Sequence, residues 1–145
     1  MTLDEIFDLW SEDSVINVSE LGNAAIDIAK LHHKYYSILS KERLLLRKME
    51  GQSKSLRLEK FEFFVDGPTE EQIEMGWKLP PKGRILKTDA KEYVDADSDV
   101  ISLNLKIAYQ QEKIDLLTDI IKTISNRGFQ VKSAIDWEKF KVGSI

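Results

Sequence analysis

The stretch LGNAAIDIAKLHHKYYSILSKERLLLRKMEGQSKSLRLEKFEFFVD, residues 21–66, decides the fold because it repeats apolar residues at the spacing of a long heptad helix. Ten of its thirteen a and d positions are apolar, and the seam is continuous from residue 21 to residue 38. A capping box of Asn17 and Glu20 is predicted to open this helix, and Gly67 to end it. The predicted a and d residues are Leu21, Ala24, Ile28, Leu31, Tyr35, Ile38, Glu42, Leu45, Met49, Gln52, Leu56, Glu59 and Phe63.

A second heptad helix is predicted to begin at Asp97 or Ser98. Seven of its eight a and d positions between residues 100 and 124 are apolar. Gly128 follows in the position that favours a left-handed residue after a helix, so the pattern predicts that the helix stops there.

Short amphipathic helices are predicted at the two ends of the chain. A Thr2–Glu5 capping box opens the first, which is expected to run from about residue 3 to residue 12. The second is expected to follow Ser133 and to carry aromatic residues.

The long helices are separated by residues 66–96, which contain all three prolines of the chain and are predicted to form an irregular connection. The sequence therefore divides into an N-terminal helical region (1–65) with a basic helix, this connection, and a C-terminal helical assembly region (97–145). The predicted fold class is mostly α, with two long heptad-patterned helices and short terminal helices.

Regular seams of 3.5 residues on two separate helices require partner helices. One intramolecular hairpin would satisfy part of that need, and a homo-oligomer is expected. The residues predicted to hold the copies together are Ile114, Leu117, Ile121, Ile124, Phe129, Trp137 and Phe140.

Composition excludes several classes of protein. Charged residues make up 32% of the chain and hydrophobic residues 42%, which is typical of a solvated helical protein. The chain has no cysteine, which excludes disulfide scaffolds, thiol catalysis and cysteine-based metal sites. The first residues lack a basic n-region and no apolar run is long enough to span a membrane, so a cytoplasmic protein is expected.

The segment 41–60 carries a local excess of positive charge. It has seven cations and three glutamates, a net charge of 7 − 3 = +4, in a chain whose formal net charge is −4. On a helical wheel four of the cations fall within an arc of about 80° opposite the seam. Aromatic residues follow, and a basic stripe ending in aromatics predicts single-stranded nucleic acid as the ligand. The candidate contact residues are Arg43, Arg47, Lys54, Arg57, Lys60 and Phe64.

Plainer interpretations of the same residues stay open. The stripe is also what a solvated helix face with local ion pairs looks like, and Glu50 lies where it can pair with Arg47 or Lys54. Aromatic residues at the end of a helix more often belong to the core than to a stacking platform, and Phe63 occupies an a position. Phe64 is the better stacking candidate.

No catalytic, metal or cofactor site is predicted. Residues 95–99 imitate the start of a calcium loop, but Val100 and Lys106 stand where that loop needs Gly and Glu. His32 and His33 are adjacent on a helix and point about 100° apart, so they cannot chelate one ion. Phosphate-loop, nucleophile-elbow and HExxH patterns are missing, which argues against an enzyme.

With this order of elements, the sequence resembles the UvsY family, the recombination mediator proteins of T-even-like phages. The resemblance rests on the long basic helix from Leu31 to Lys60, on the aromatic pair and glycine that follow at Phe63-Phe64 and Gly67, and on the ending RGFQVK at residues 127–132. The ending is the strongest local match.

The resemblance implies a ring-shaped homo-oligomer, of hexamer or heptamer size, that binds single-stranded DNA. It also implies contacts with the phage recombinase and the phage single-stranded-DNA-binding protein, so that the recombinase is loaded onto strands which that protein covers. The family's DNA-binding motif has two cations flanking one residue before the aromatic pair. Here Lys60 matches the second cation, Leu58 aligns with the first, and Arg57 lies one residue earlier.

Two rival functions remain at this stage. The first is a non-catalytic coiled-coil scaffold or adaptor that does not bind DNA directly, with the basic stripe as a soluble surface. The second is a basic amphipathic element for membrane surfaces, which is disfavoured because the face opposite the stripe is committed to the seam.

Overall fold

The structure is a computed structural model that describes residues 1–143 of the 145. The described chain is helical, without a β-strand, and the predicted mostly α class with two long helices is confirmed. A 3₁₀ turn at Val18–Glu20 precedes the second helix. The six α-helices are α1 (Leu3–Asp13), α2 (Leu21–Ile26), α3 (Ile28–Asp66), α4 (Glu70–Glu74), α5 (Lys87–Asp95) and α6 (Ser98–Lys141).

Helix α1 begins with the predicted capping box. The Thr2 hydroxyl accepts a hydrogen bond from the Glu5 N–H at 3.1 Å, and the Glu5 carboxylate accepts one from the Thr2 N–H at 2.9 Å. The second predicted capping box is wrong. Asn17 accepts from the Ser19 N–H at 3.0 Å and so caps the 3₁₀ turn, and the long helix begins only at Ile28. A short polar side chain that bonds to its own turn competes with helix formation there.

The predicted a positions of helix α3 face the protein interior. From residue 39 onward, the second set of inward-facing residues lies one position after the predicted d positions. Leu39 is buried, Leu46 is less exposed than Leu45, and Lys60 is buried while Glu59 is exposed. From the same a positions, a 3.5-residue repeat can place the next inward-facing residue either three or four positions later. In α3 the tertiary contacts select the spacing of four.

Helix α6 is longer than predicted. It passes through Gly128 without a left-handed residue and continues to Lys141, so the predicted stop and the separate final helix are both wrong. A glycine inside a helix costs about 1 kcal/mol relative to alanine. Burial of Ile124, Arg127 and Val131 on one face of the helix offsets that cost.

Residues 66–96 contain more regular structure than predicted, because α4 and α5 lie within them. The turns between the helices occur at Gly67, Gly76 and Gly83, each with a positive φ. The Ile85 N–H donates to the carbonyl of Phe64 at 2.8 Å and ties this segment to the end of α3.

The contacts of the chain group it into two compact units. The first unit is formed by Met1–Leu44 together with the chain from Gln110 onward, and the second by Leu45–Tyr109. The predicted division near residues 65 and 96 follows composition along the chain, and as a division into functional regions it stays a prediction. The core of the first unit contains Ile6, Leu21, Tyr35, Leu39, Ile114, Leu117, Ile120, Ile124 and Val131. The core of the second contains Phe63, Phe64, Ile85, Ala90, Val94 and Val100.

Candidate nucleic-acid interface

Three of the predicted DNA-binding cations are exposed on helix α3. Arg43 belongs to the first unit, and Arg47 and Lys54 belong to the second. None of the three takes part in an ion pair within residues 1–143, although Glu50 is exposed on the same helix. Their charge is therefore available to a ligand.

Arg57 is partly engaged within the protein. Its guanidinium donates to the carboxylate of Asp95 at 2.5 Å, and both side chains keep a large exposed fraction. An ion pair in contact with water contributes roughly 0–1 kcal/mol, so this pair can be exchanged at little cost.

Lys60 lies inside the second unit and is only 3% exposed. Its ammonium is 2.8 Å from a carboxylate oxygen of Asp99 and 3.2 Å from one of Asp97, and it lies 3.7 Å from the centre of the Trp77 ring. The first turn of α6 and the segment that leads into it thus provide two anionic partners for a cation of α3. The acidic run at residues 95–99, which imitates the start of a calcium loop in the sequence, provides the counter-ions of Arg57 and Lys60.

Phe64 is also part of the core, with 6% of its surface exposed. Its ring centre lies 5.1 Å from that of Phe63 and 5.7 Å from that of Tyr93. The structure therefore does not bring Lys60 and Phe64 to the exposed surface that carries Arg47 and Lys54. A role of these two residues in DNA binding stays a prediction.

The predicted assembly residues separate into two groups. Ile114, Leu117 and Ile124 are buried in the core of their own unit, and Ile121 is half-buried. The three aromatic residues near the end of α6 are exposed, and two of them, Trp137 and Phe140, stack with their ring centres 5.6 Å apart. The exposed aromatics, which include Phe129, are the members of the set still free to contact another copy.

A buried ionic cluster holds the first unit together. The Lys113 ammonium lies 2.9 Å from the Glu42 carboxylate, which also accepts from the Gln110 amide at 2.6 Å. Burial raises the pKa of Glu42, but the hydrogen bonds from Gln110 and Lys113 outweigh burial and leave the pKa below its usual value. Arg127 donates to the carbonyls of Asp13 and Val15 at 2.8 and 3.0 Å.

A second basic segment, residues 78–91, was predicted only as part of an irregular connection. It has five cations and one aspartate, a net charge of 5 − 1 = +4 within 14 residues. A charge count along the chain would have identified it.

In the part of the chain that the structure describes, no group of three or more His, Cys, Asp or Glu side chains is placed to hold a metal ion. Over the same residues, no helix is long and apolar enough to cross a bilayer.

Comparison with known proteins identifies one family. The family described as "Recombination, repair and ssDNA binding protein UvsY" matches residues 9–144. The recombination protein uvsY of Enterobacteria phage T4 is 21% identical over 143 residues, which is 99% of each chain.

Solved structures show the same fold. Two crystal structures of the bacteriophage T4 recombination mediator protein UvsY are similar to this chain. The lattice type IV structure gives a TM-score of 0.82 at 19% identity and covers 97% of this chain and 99% of that chain. The lattice type II structure gives 0.78 at 22% identity and covers 98% of each chain.

Proposed function

The chain belongs to the UvsY family of recombination, repair and single-stranded-DNA-binding proteins, and on that premise we propose that it is a recombination mediator. In this proposal it binds single-stranded DNA and promotes loading of the phage recombinase onto strands covered by the phage single-stranded-DNA-binding protein. The observation that carries the proposal is the family match over residues 9–144. The exposed, unpaired cations of α3 supply suitable chemistry.

Arg47 and Lys54 are the proposed phosphate contacts of the second unit, and Arg43 is a further contact on the same helix. Arg47 and Lys54 are seven residues apart, which corresponds to about 10 Å along a helix axis. Both are exposed and both lack a carboxylate partner among the described residues, so no internal pair must break before they bind.

Arg57 and Lys60 join this surface only by exchanging their aspartate partners for phosphate. The exchange is easiest for Arg57, because its pair with Asp95 is already in contact with water. For Lys60 the exposed partner is Asp99, whose side chain is 55% exposed. Base stacking on Phe64 requires the end of α3 to open further, because its ring is packed against Phe63 and Tyr93.

Assembly multiplies these few contacts. One protomer offers a small number of phosphate contacts and binds weakly, whereas a ring presents the same surface several times to one strand at high effective concentration. The exposed aromatics Phe129, Trp137 and Phe140 are the proposed contacts between copies, in a ring of hexamer or heptamer size. Such a ring promotes loading of the recombinase only as far as the recombinase binds the ring-held strand more tightly than other forms of the strand.

The test of DNA binding is a salt titration with a fluorescent oligothymidylate. The double variant R47A/K54A should bind more weakly, with a log–log salt slope shallower by about 1.4 per engaged protomer, since each lost phosphate contact removes about 0.7. K106A/K122A is the matched control, because it removes two exposed lysines elsewhere. If the parent protein does not bind the oligonucleotide at low salt, this proposal is wrong and the scaffold function is favoured.

The mediator step has its own experiment. Labelled recombinase is added to single strands already covered by the single-stranded-DNA-binding protein, and the rate of its loading is measured with and without this protein. The parent should raise the rate and R47A/K54A should raise it less. An unchanged rate with the parent contradicts the mediator function even when the DNA binding persists.

A further inference from the structure

The segment KLPPKGRILKTDAK, residues 78–91, is the densest concentration of positive charge in the second unit. Its net charge of +4 occupies 14 residues, whereas the same net charge on α3 is spread over the 20 residues from 41 to 60. All five of its cations are exposed: Lys78, Lys82, Arg84, Lys87 and Lys91.

These cations differ from Arg57 and Lys60 in having no carboxylate partner. None of the five forms an ion pair with any residue of the described chain. Lys82 instead lies against an aromatic ring, with its ammonium 5.1 Å from the centre of Tyr93. A ligand that carries negative charge therefore meets five cations that have no carboxylate partner to release, although Lys82 also contacts Tyr93.

The backbone that presents these cations is held in place. Ile85 is buried and donates its N–H to Phe64, and Ala90 is buried one turn into α5. The Gly83 N–H donates to the carbonyl of Pro80 at 2.8 Å and closes a turn with a positive φ. Because the backbone is already ordered, little conformational entropy is lost there when a ligand binds.

The surface between the cations is partly apolar. Leu86 is 73% exposed and sits between Arg84 and Lys87, and Pro81 is exposed beside Lys82. Phosphates alternate with bases along a single strand, so a surface that alternates cations with apolar side chains suits it. A purely acidic peptide would leave Leu86 uncovered.

We propose that residues 78–91 are a second contact surface for single-stranded DNA, in which Lys82, Arg84, Lys87 and Lys91 hold phosphates and Leu86 contacts a base. The proposal rests on the DNA binding proposed above. The new element is the place of the positive charge: most of the unpaired cations of the second unit lie on the connection between the long helices, and not on α3.

The decisive variant is K82A/K87A/K91A, with K106A/K122A/K139A as the control that removes the same charge from exposed lysines elsewhere. Arg84 is retained because its guanidinium packs against Gly67. Far-ultraviolet circular dichroism and light scattering must first show the same helicity and oligomeric state as the parent. The salt slope for an oligothymidylate should then fall by about 2 per engaged protomer, at about 0.7 per contact, while the control keeps the parent's slope.

Cross-linking locates the strand independently of affinity. An oligothymidylate containing 4-thiothymidine, irradiated on the parent protein, should yield cross-linked peptides that include residues 78–91. If K82A/K87A/K91A keeps the salt slope of the parent while R47A/K54A binds DNA more weakly, this inference is wrong and the proposed α3 contacts stand. A triple variant that keeps DNA binding but loses the single-stranded-DNA-binding protein overturns it in favour of a protein-docking surface. If the parent binds no DNA at all, the proposed function fails together with this inference.

Discussion

Both units bury a lysine against carboxylates, but the two lysine sites differ in how far their carboxylates reach solvent. In the first unit Lys113 faces Glu42, and both side chains are less than one-tenth exposed. In the second unit Lys60 is just as buried, yet its partner Asp99 is more than half exposed. The first site is closed on both sides, and the second is open on its anionic side.

The difference indicates which buried cation can exchange its partner. The Glu42 carboxylate contacts Lys113, the Gln110 amide and the terminal amine of Met1 at 3.6 Å, and with 9% of its side chain exposed it offers little access to a competing phosphate. A phosphate that approaches Lys60 from solvent meets Asp99 first. A buried cation with a buried counter-ion therefore stabilises the structure, whereas a buried cation with an exposed counter-ion can exchange that counter-ion for a ligand.

The largest effect is expected from Glu42→Gln. This variant leaves the Lys113 ammonium buried without its anion, and removal of one partner of a buried ion pair typically costs 3–5 kcal/mol. Urea unfolding at a fixed protein concentration measures the loss. Glu50→Gln, an exposed change on the same helix, should alter the free energy of unfolding by less than about 0.5 kcal/mol. A loss below about 1 kcal/mol for Glu42→Gln would contradict the closed site.

Lys60→Met should destabilise the protein less, by about 1–2 kcal/mol, because Asp99 can return to water and only Asp97 stays largely buried. The same urea titration measures this change. If Lys60→Met costs as much as Glu42→Gln, the second site is as closed as the first and the comparison fails.

The closed site also predicts a dependence on pH. A carboxyl group whose pKa is lowered in the folded state contributes stability above its unfolded pKa, and that stability is lost as the pH falls through the folded pKa. The pKa of Glu42 is lowered from its usual 4.5. The urea midpoint should therefore fall as the pH is lowered below about 4.5, and Glu42→Gln should make that fall less steep. Equal steepness in parent and variant would exclude Glu42 as its source.

The open site makes a prediction about the ligand. Asp95→Asn/Asp99→Asn removes two carboxylates that compete with phosphate for Arg57 and Lys60. We expect oligothymidylate affinity to rise roughly fivefold, which is about 1 kcal/mol and in the range of exposed ion pairs. Glu112→Gln/Asp119→Asn, two exposed residues of α6 outside both proposed DNA surfaces, is the control for the change in net charge. Unchanged affinity in the first double variant would mean that Arg57 and Lys60 do not contact the strand.

The smallest effect concerns a glycine in each unit. Gly128→Ala adds a methyl group that meets nothing within 4 Å inside a continuous helix, and it should raise the free energy of unfolding by up to about 1 kcal/mol. Gly67→Ala should lower it, because the φ of +92° strains any other residue and the added Cβ would lie 3.2 Å from Arg84. Thermal unfolding midpoints measure both. A lower midpoint for Gly128→Ala would indicate that the helix breaks there after all.

Local signals in the sequence predicted some of the helix ends. The Thr2–Glu5 capping box, the end of α3 at Gly67 and the start of α6 follow from residues within a few positions of each other. The a positions of both seams were also predicted, because a fixed spacing of seven residues leaves their face unambiguous.

Two of the errors arose where distant contacts choose between local alternatives, whereas the Asn17 error arose from a hydrogen bond within its own turn. The burial of Lys60 rather than Glu59 depends on aspartates 37 and 39 residues further along the chain, which no helical wheel of α3 includes. The passage of α6 through Gly128 depends on Arg127, whose partners lie 112 and 114 residues earlier. A single sequence carries no signal for these pairings, so the availability of each cation could not be predicted from charge alone.

The composition of the first unit has a consequence for synthesis on the ribosome. Because this unit combines Met1–Leu44 with the chain from Gln110 onward, its nascent N-terminal part emerges long before its C-terminal partners exist. The second unit, Leu45–Tyr109, is complete in the growing chain earlier. A protein truncated before Gln110 would thus retain every residue of the second unit, whereas the first unit would lack the part of its core that follows Gln110. Ile6 and Tyr35 would then belong to an incomplete core, which chaperones and proteases recognise.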